Sequence, residues 1–228
     1  IIRICHKHKV KVLLDCSQSA LHHEINIKKL DADFIAVSSH KMLGPNGVGA
    51  LISTKENLEM LDQFLVGGET VQDSSYDDFV VEKIPERFEA GLQNYPGIIG
   101  FGEAIKYLDK IGFKNIHEQL IKLNSVATAG LSEIKNVKIL GPINASKRSG
   151  IISFVIKGKK VHEVSLLLNN MHNIMVRSGA HCVHSWFNKI ENKESVFKDG
   201  TVRASFGFYN TIEEVEIFVK AVKEISEL

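Results

Sequence analysis

Ser38-Ser39-His40-Lys41-Met42-Leu43-Gly44-Pro45-Asn46-Gly47-Val48-Gly49 sets one lysine between two hydroxyls and a histidine on one side and three glycines on the other. An apolar run, Phe34 to Val37, leads in and reads as a buried strand. Another, Gly49 to Ser53, leads out. A lysine at the mouth of a strand can be held against a planar carbonyl compound and form an imine. Neighbouring hydroxyls, a histidine and glycine amides suit a phosphate. The competing reading is a surface lysine in a glycine-rich turn, which is a common arrangement.

Upstream, Val10-Lys11-Val12-Leu13-Leu14 is a short buried-strand candidate that ends at Asp15, and Asp15-Cys16-Ser17-Gln18 follows. Strands with polar residues at their C-terminal ends are what an open α/β sheet offers a ligand. A carboxylate there can reach a ring nitrogen and keep it protonated, and an amide a few residues on can bond a ring hydroxyl. With the lysine and the phosphate-binding groups, these are the requirements of pyridoxal phosphate. Taken alone, Asp15 reads as a solvated Asx turn. His22-His23 suggests a metal at first sight, but adjacent side chains point apart on a strand or helix.

Downstream, Lys55 to Phe64 reads as a helix. Residues 65 to 95 form a long stretch with little helical periodicity, read as a loop that contacts a partner. Pro96 to Lys110 reads as a helix. A longer one follows, with Phe113, Ile116, Leu120, Leu123, Ala127, Leu131 and Ile134 on one face. From Asn136 the pattern becomes that of a small α+β domain. Its expected strands are Val137 to Leu140, Gly150 to Ile156, Ile174 to Arg177 and Val202 to Phe206. Val161 to Met171 is a helix candidate, and Thr211-Ile212-Glu213-Glu214 is a capping box that opens a last helix. The boundary falls near residue 112, dividing the chain into 1–112 and 113–228.

Arg177-Ser178-Gly179-Ala180-His181-Cys182-Val183-His184 is the second notable stretch. A thiol in a polar loop with cationic neighbours favours its nucleophilic form. Zinc ligation by His181, Cys182 and His184 is the weaker alternative, because the ligands are adjacent and a fourth is missing. A small buried cysteine is the bland one, and the surrounding polarity argues against it. Arg203 interrupts an apolar strand. It reads first as paired with an acid and second as an anion site whose fork suits a carboxylate.

Across 228 residues, 28 basic side chains balance 27 acidic ones, so neither nucleic acid nor a membrane surface is implied as a partner. No apolar run reaches the length of a bilayer span. Three cysteines are too few and too odd for a disulfide framework, which favours the cytoplasm. The chain opens at Ile1 without Met and reads as an excerpt of something longer.

Together the stretches resemble the fold-type I pyridoxal phosphate (PLP) enzymes of the class V aminotransferase family. Within it they look like the group II cysteine desulfurases, the SufS-like and selenocysteine-lyase-like branch. The matching pieces, in order, are Asp15-x-x-Gln18, His22-His23, Asp33-Phe34, Ser38-x-His40-Lys41, Gly44-Pro45-x-Gly47-x-Gly49, Gly67-Gly68, Arg87-Phe88-Glu89-Ala90-Gly91, Gly97-Ile98-Ile99-Gly100, Arg177-x-Gly179-x-His181-Cys182 and Val202-Arg203-Ala204-Ser205. The resemblance implies an α/β fold: the C-terminal part of a PLP-dependent transferase large domain, with a mixed, mainly parallel sheet and helices, plus a small α+β C-terminal domain.

By that resemblance Lys41 would carry the cofactor as a Schiff base. Asp15 would pair with the ring nitrogen, Gln18 with the ring hydroxyl, and Ser38 and His40 with the phosphate. Arg203 would hold the substrate carboxylate, with Arg177 nearby. Cys182 would take sulfur from L-cysteine as a persulfide, leaving L-alanine, for a sulfur-acceptor protein and iron–sulfur cluster assembly. A homodimer is implied. The alternatives are another class V reaction (transamination, selenocysteine lysis or epimerisation) or an inactive fragment.

Three departures stand out. The family's chain begins well upstream of Ile1, and that part includes the histidine that stacks on the ring, a phosphate-binding Thr or Ser, and an Asn that touches substrate. Leu92 stands where the family often has a Thr whose hydroxyl reaches the partner subunit's phosphate. The segment 185–200 is charged and longer than in many relatives, a feature expected to alter access to the cysteine or the choice of sulfur acceptor.

Overall fold

The computed structural model describes residues 1–189 and 195–228. Part of the segment 185–200, expected to alter access to the cysteine, therefore lies outside the described residues. The chain divides into two compact units, Ile1–Phe113 and Lys114–Leu228.

The first unit starts with helix α1 (Ile2–Lys7), strand β1 (Leu13–Asp15), the single turn α2 (Ile27–Leu30) and strand β2 (Phe34–Ser38). A 3₁₀ turn over Ser39–Met42 carries the lysine, and β3 (Gly49–Ser53) and α3 (Lys55–Glu59) follow. β1 runs parallel to β2, and β3 runs antiparallel to it. The described sheet is thus mixed, with one parallel and one antiparallel pairing.

Its N-terminal end is tied by Asp33, which is 8 % exposed. The Asp33 carboxylate accepts from the Val12 N–H at 2.8 Å and lies 2.9 Å from His6 Nε2 and 3.0 Å from Lys11 Nζ. Lys11 also donates to Asn57 on α3 at 2.9 Å, so one carboxylate joins the segments around β1, β2 and α3.

Two expectations need correcting here. The helix expected over Lys55 to Phe64 stops at Glu59 although the apolar spacing runs on through Leu61 and Leu65, and beyond its end the Gln63 amide donates to the carbonyls of Thr70 and Arg87. The stretch 65–95 is not a plain loop. It holds a hairpin, β4 (Val71–Ser74) with β5 (Phe79–Val81), turned through Ser75–Asp78, and a 3₁₀ turn at Glu86–Phe88. Arg87 fixes the end of that stretch by donating to the carbonyls of Leu58 and Leu61 at 3.1 and 2.7 Å.

Helix α4 (Tyr95–Ile111) is capped by the Asn94 side chain and buries Gly97, Phe101, Ala104 and Leu108, spaced by four and three. Its small residues let the loop after Lys41 lie close. A Cβ on Gly97 would meet Val48, one on Gly100 would meet Pro45, and one on Gly44 would run into Ser39. The glycines on both sides of the contact therefore set the position of the lysine turn.

The second unit opens with α5 (Phe113–Glu133), whose buried face is the one its spacing predicts. It continues through β6 (Val137–Leu140), β7 (Ile151–Ile156), α6 (Val161–His172), β8 (Arg177–Gly179), α7 (His184–Asn188), β9 (Thr201–Ser205) and α8 (Ile212–Glu227). The four strands make an antiparallel sheet in the order β6-β7-β9-β8. Ile152, Phe154, Ile156, Val202 and Ala204 face one core with Leu123, Leu131, Val164, Leu168, Phe218 and Val222 from the helices. Burying such side chains stabilises the unit by about 1.5–3 kcal/mol each. Because side chains alternate, Arg203 and its neighbours Thr201 and Ser205 take the opposite face. β8 starts three residues and ends two residues later than expected, since the register pairs Arg177 with Arg203 and leaves Ile174 before the strand. The Thr211–Glu214 capping box forms as its sequence predicts, with reciprocal bonds of 3.2 and 2.8 Å.

Candidate active site

In the first unit the parallel register brings Asp15 level with Ala36, so the end of β1 and the lysine turn after Ser38 share one sheet edge. Asp15 does make the Asx turn considered from sequence, accepting from the Ser17 N–H at 2.9 Å. That bond does not neutralise it. Hydrogen bonds from the Ser17 side chain and then its backbone hold the Asp15 carboxyl below the usual carboxylate range; slight burial opposes this, and the charge of Lys41 adds to it. The lysine and the carboxylate therefore act on one another across this edge. Ser38 Oγ lies 3.0 Å from His40 Nδ1, and that pair is open to solvent. Gln18 is exposed in the turn that follows β1. An ionised carboxylate, a primary amine and a hydroxyl–imidazole pair at one edge could hold a phosphorylated aromatic carbonyl compound. Leu92 is 86 % exposed and offers no hydroxyl.

In the second unit β8 feeds a tight turn, Ala180-His181-Cys182-Val183, closed by the Val183 N–H donating to the Ala180 carbonyl at 2.9 Å. His181 and Cys182 both have positive φ, 50° and 66°. That is the signature of a type I′ turn, which ordinarily takes Asn and Gly. The Cys182 thiol is exposed, and Arg177 Nη2 donates to its sulfur at 3.3 Å.

Arg203 corrects an expectation. Among the described residues no carboxylate lies within ion-pairing distance of it or of Arg177. The two arginines are instead direct cross-strand partners, and the buried Arg203 Nε has no hydrogen-bond acceptor. Like charges set opposite each other in a sheet are unfavourable unless something negative joins them. Among the described residues the pair thus has no structural ion-pair partner, and its two guanidinium groups could take an anion.

His181 Nε2 lies 3.1 Å from the Thr201 carbonyl and 2.9 Å from its hydroxyl, while its Nδ1 is buried without a partner. Burial first, then Arg203, with a smaller push from Arg177, lowers its pKa against the opposing bond to Thr201. The imidazole is therefore neutral near neutral pH. From the sequence His181 reads only as a member of the motif and of the weaker zinc alternative, with no role in holding Cys182. No turn signal marked it, because neither His nor Cys announces a type I′ turn. For the zinc alternative, no group of three or more His, Cys, Asp or Glu among the described residues could hold a metal.

A sequence model of the class V aminotransferases matches residues 1–218, and the chain belongs to that family. Its relatives include a probable cysteine desulfurase of Pyrococcus abyssi, 40% identical over 93% of this chain and 51% of the relative. The solved structure of a cysteine desulfurase from Thermococcus onnurineus NA1, in its apo form, matches 99% of this chain and 55% of its own with a TM-score of 0.91 and 40% identity. The cysteine desulfurase CsdA of Escherichia coli matches 99% and 54% with a TM-score of 0.89 at 29% identity. The chain spans about half the length of the curated relatives it matches.

Proposed function

We propose that the protein acts in a PLP-dependent cysteine desulfurase, which takes sulfur from L-cysteine and releases L-alanine. The observation that carries this reading is the exposed Cys182 thiol, held on a tight turn 3.3 Å from Arg177, beside a second arginine with no acid to pair with among the described residues. A carboxylate-bearing thiol substrate and a sulfur-accepting cysteine match that chemistry. The names of the relatives agree with it.

The first unit's donor set fits the cofactor. Asp15 is kept ionised, as a partner for a pyridinium nitrogen must be, and Lys41 lies within electrostatic reach of it at the same edge. Ser38 and His40 offer a phosphate one hydroxyl and one ring nitrogen, and Gln18 would bond the ring hydroxyl. When bound, pyridoxal phosphate supplies a conjugated electron sink. Lys41 would hold it, and its amine is the base and acid that would move the proton of the substrate carbon. Arg203 binds the substrate carboxylate with Arg177 beside it. The Cys182 thiolate attacks the substrate sulfur; an S–S bond forms as the C–S bond breaks, and the carbon takes a proton and leaves as alanine.

The persulfide would then pass to a sulfur-acceptor protein, with iron–sulfur cluster assembly as the natural destination. Three unbridged cysteines fit a reducing cytoplasm. Self-association fits the apolar side chains on and beside the β4–β5 hairpin, among them Phe64, Tyr76 and Phe79, 96%, 108% and 45% exposed.

The test is sulfide and alanine release from L-cysteine by the full-length protein supplied with pyridoxal phosphate. Cys182→Ala should abolish release while leaving cofactor absorbance. Sulfide at wild-type rate from Cys182→Ala would move the assignment to another class V reaction.

A further inference from the structure

The Ala180–Val183 turn places His181 and Cys182 at positive φ, which non-glycine residues seldom adopt and for which His, unlike Cys, has some preference. Something outside the turn must compensate at Cys182, because its own preference does not. Gly179 stands directly opposite Thr201 in the β8–β9 ladder, two residues before His181, and Thr201 is fully buried. The imidazole reaches back across the turn to that residue. A carbonyl oxygen only accepts, so the bond at 3.1 Å fixes the proton on Nε2, and the Thr201 hydroxyl lies 2.9 Å from the same nitrogen. The other ring nitrogen is then bare, buried and without a hydrogen-bond partner among the described residues.

We infer that His181 is a positioning residue. Its Nε2–H anchors the turn to β9 and so holds the Cys182 sulfur against Arg177. The inference deepens the reading of Cys182 as the sulfur acceptor and rests on it. The neutral state of the ring belongs to the same design. A neutral imidazole keeps a single N–H, which the Thr201 carbonyl orients, and it adds no third positive charge beside Arg177 and Arg203. A side chain that merely filled space would not need to donate.

The consequence is energetic coupling between two residues that do not touch each other's reacting atoms. A guanidinium beside the sulfur favours the nucleophilic thiolate. Removing Arg177 should therefore slow alkylation of Cys182, and only while His181 holds the turn.

The experiment is a double-mutant cycle on the purified protein, read as the iodoacetamide alkylation rate of the Cys182 peptide at pH 7 by mass spectrometry. Arg177→Ala is expected to slow alkylation about five-fold in the otherwise wild-type protein and less than about two-fold beside His181→Ala. His181→Gln, whose amide can donate to the same carbonyl, should restore the larger effect. His181→Leu, which fills the space and cannot donate, should behave like alanine and serves where the alanine variant does not fold. An Arg177 effect of full size in both His181→Ala and His181→Leu would overturn the inference, as would failure of His181→Gln to restore it where they abolish it. Neither cofactor nor L-cysteine enters the assay. Lost coupling can thus be told apart from a failure of the desulfurase reading, which shows as sulfide release independent of Cys182.

Discussion

At the scale of single residues, the proposed chemistry rests on side chains whose surroundings leave them open to a partner. Among the described residues Arg203 has a buried Nε with no acceptor and faces Arg177 across the ladder. A substrate carboxylate would satisfy both. Hydrogen bonds to charged groups contribute about 1.5–3 kcal/mol, so Arg203→Ala should raise the KM for L-cysteine about 10- to 100-fold with a smaller change in kcat. Steady-state kinetics over a range of L-cysteine concentrations checks this, and an unchanged KM would place the carboxylate elsewhere.

Asp33 does a different kind of work. Burial raises its pKa, but bonds from His6, the Val12 N–H and Lys11, with the charge of Lys11, more than offset this and hold the carboxyl well below the usual range. The folded pKa lies below the unfolded value of about 3.9. Its stabilisation is therefore complete above about pH 4 and is lost as pH falls from there toward the folded pKa. Thermal melts should show Tm falling in that acid window, and Asp33→Asn should flatten the fall. Asp33→Ala, which removes the acceptor of the Val12 amide and one of the two partners of Lys11, should cost about 1–3 kcal/mol at neutral pH in denaturant titrations.

Among the elements, α4 and the lysine turn form one contact built on small residues. Gly97 approaches Val48, and Gly100 approaches Pro45. Gly100→Val would push a branched side chain into Pro45, with overpacking costs of about 1–3 kcal/mol, and would shift the Lys41 turn. A weaker affinity for pyridoxal phosphate, read from absorbance titration, is the expected outcome, and unaltered affinity would mean that α4 does not set the turn.

This contact also shows how far the sequence could be read. The strand–turn–strand around Lys41, the face of α5 and the α8 capping box follow from periodicity and local chemistry, which the folded chain obeys. The β4–β5 hairpin was hidden because Val71-Gln72-Asp73-Ser74 has a single apolar residue and no alternation to signal a strand. The turn at His181 and Cys182 was hidden for the opposite reason. Its residues contradict the rule for positive φ, and such contradictions gather where a fold serves chemistry. The Arg177–Arg203 pairing needed the register, which no spacing within either strand encodes.

For the molecule as a whole, the class V family is established by a match over residues 1–218, and the likeness to solved cysteine desulfurases covers nearly all of this chain and about half of theirs. Among the described residues no helix is long and apolar enough to cross a membrane. Large apolar side chains on and around the β4–β5 hairpin remain open to solvent, Tyr76 and Phe79 among them. If that surface joins two copies, Tyr76→Asp with Phe79→Asp should lower the mass found by light scattering toward that of a monomer, and an unchanged mass would assign self-association to another surface.

The central claim is that Lys41 and Cys182 serve one reaction on L-cysteine. Its most direct test is the visible spectrum of the full-length protein with pyridoxal phosphate, followed through addition of L-cysteine while sulfide and alanine are measured. A cofactor band that requires Lys41 and changes with L-cysteine, with sulfide formed only when Cys182 is intact, is the predicted result. A protein that binds no cofactor through Lys41, or that releases sulfide equally well as Cys182→Ala, would contradict the account.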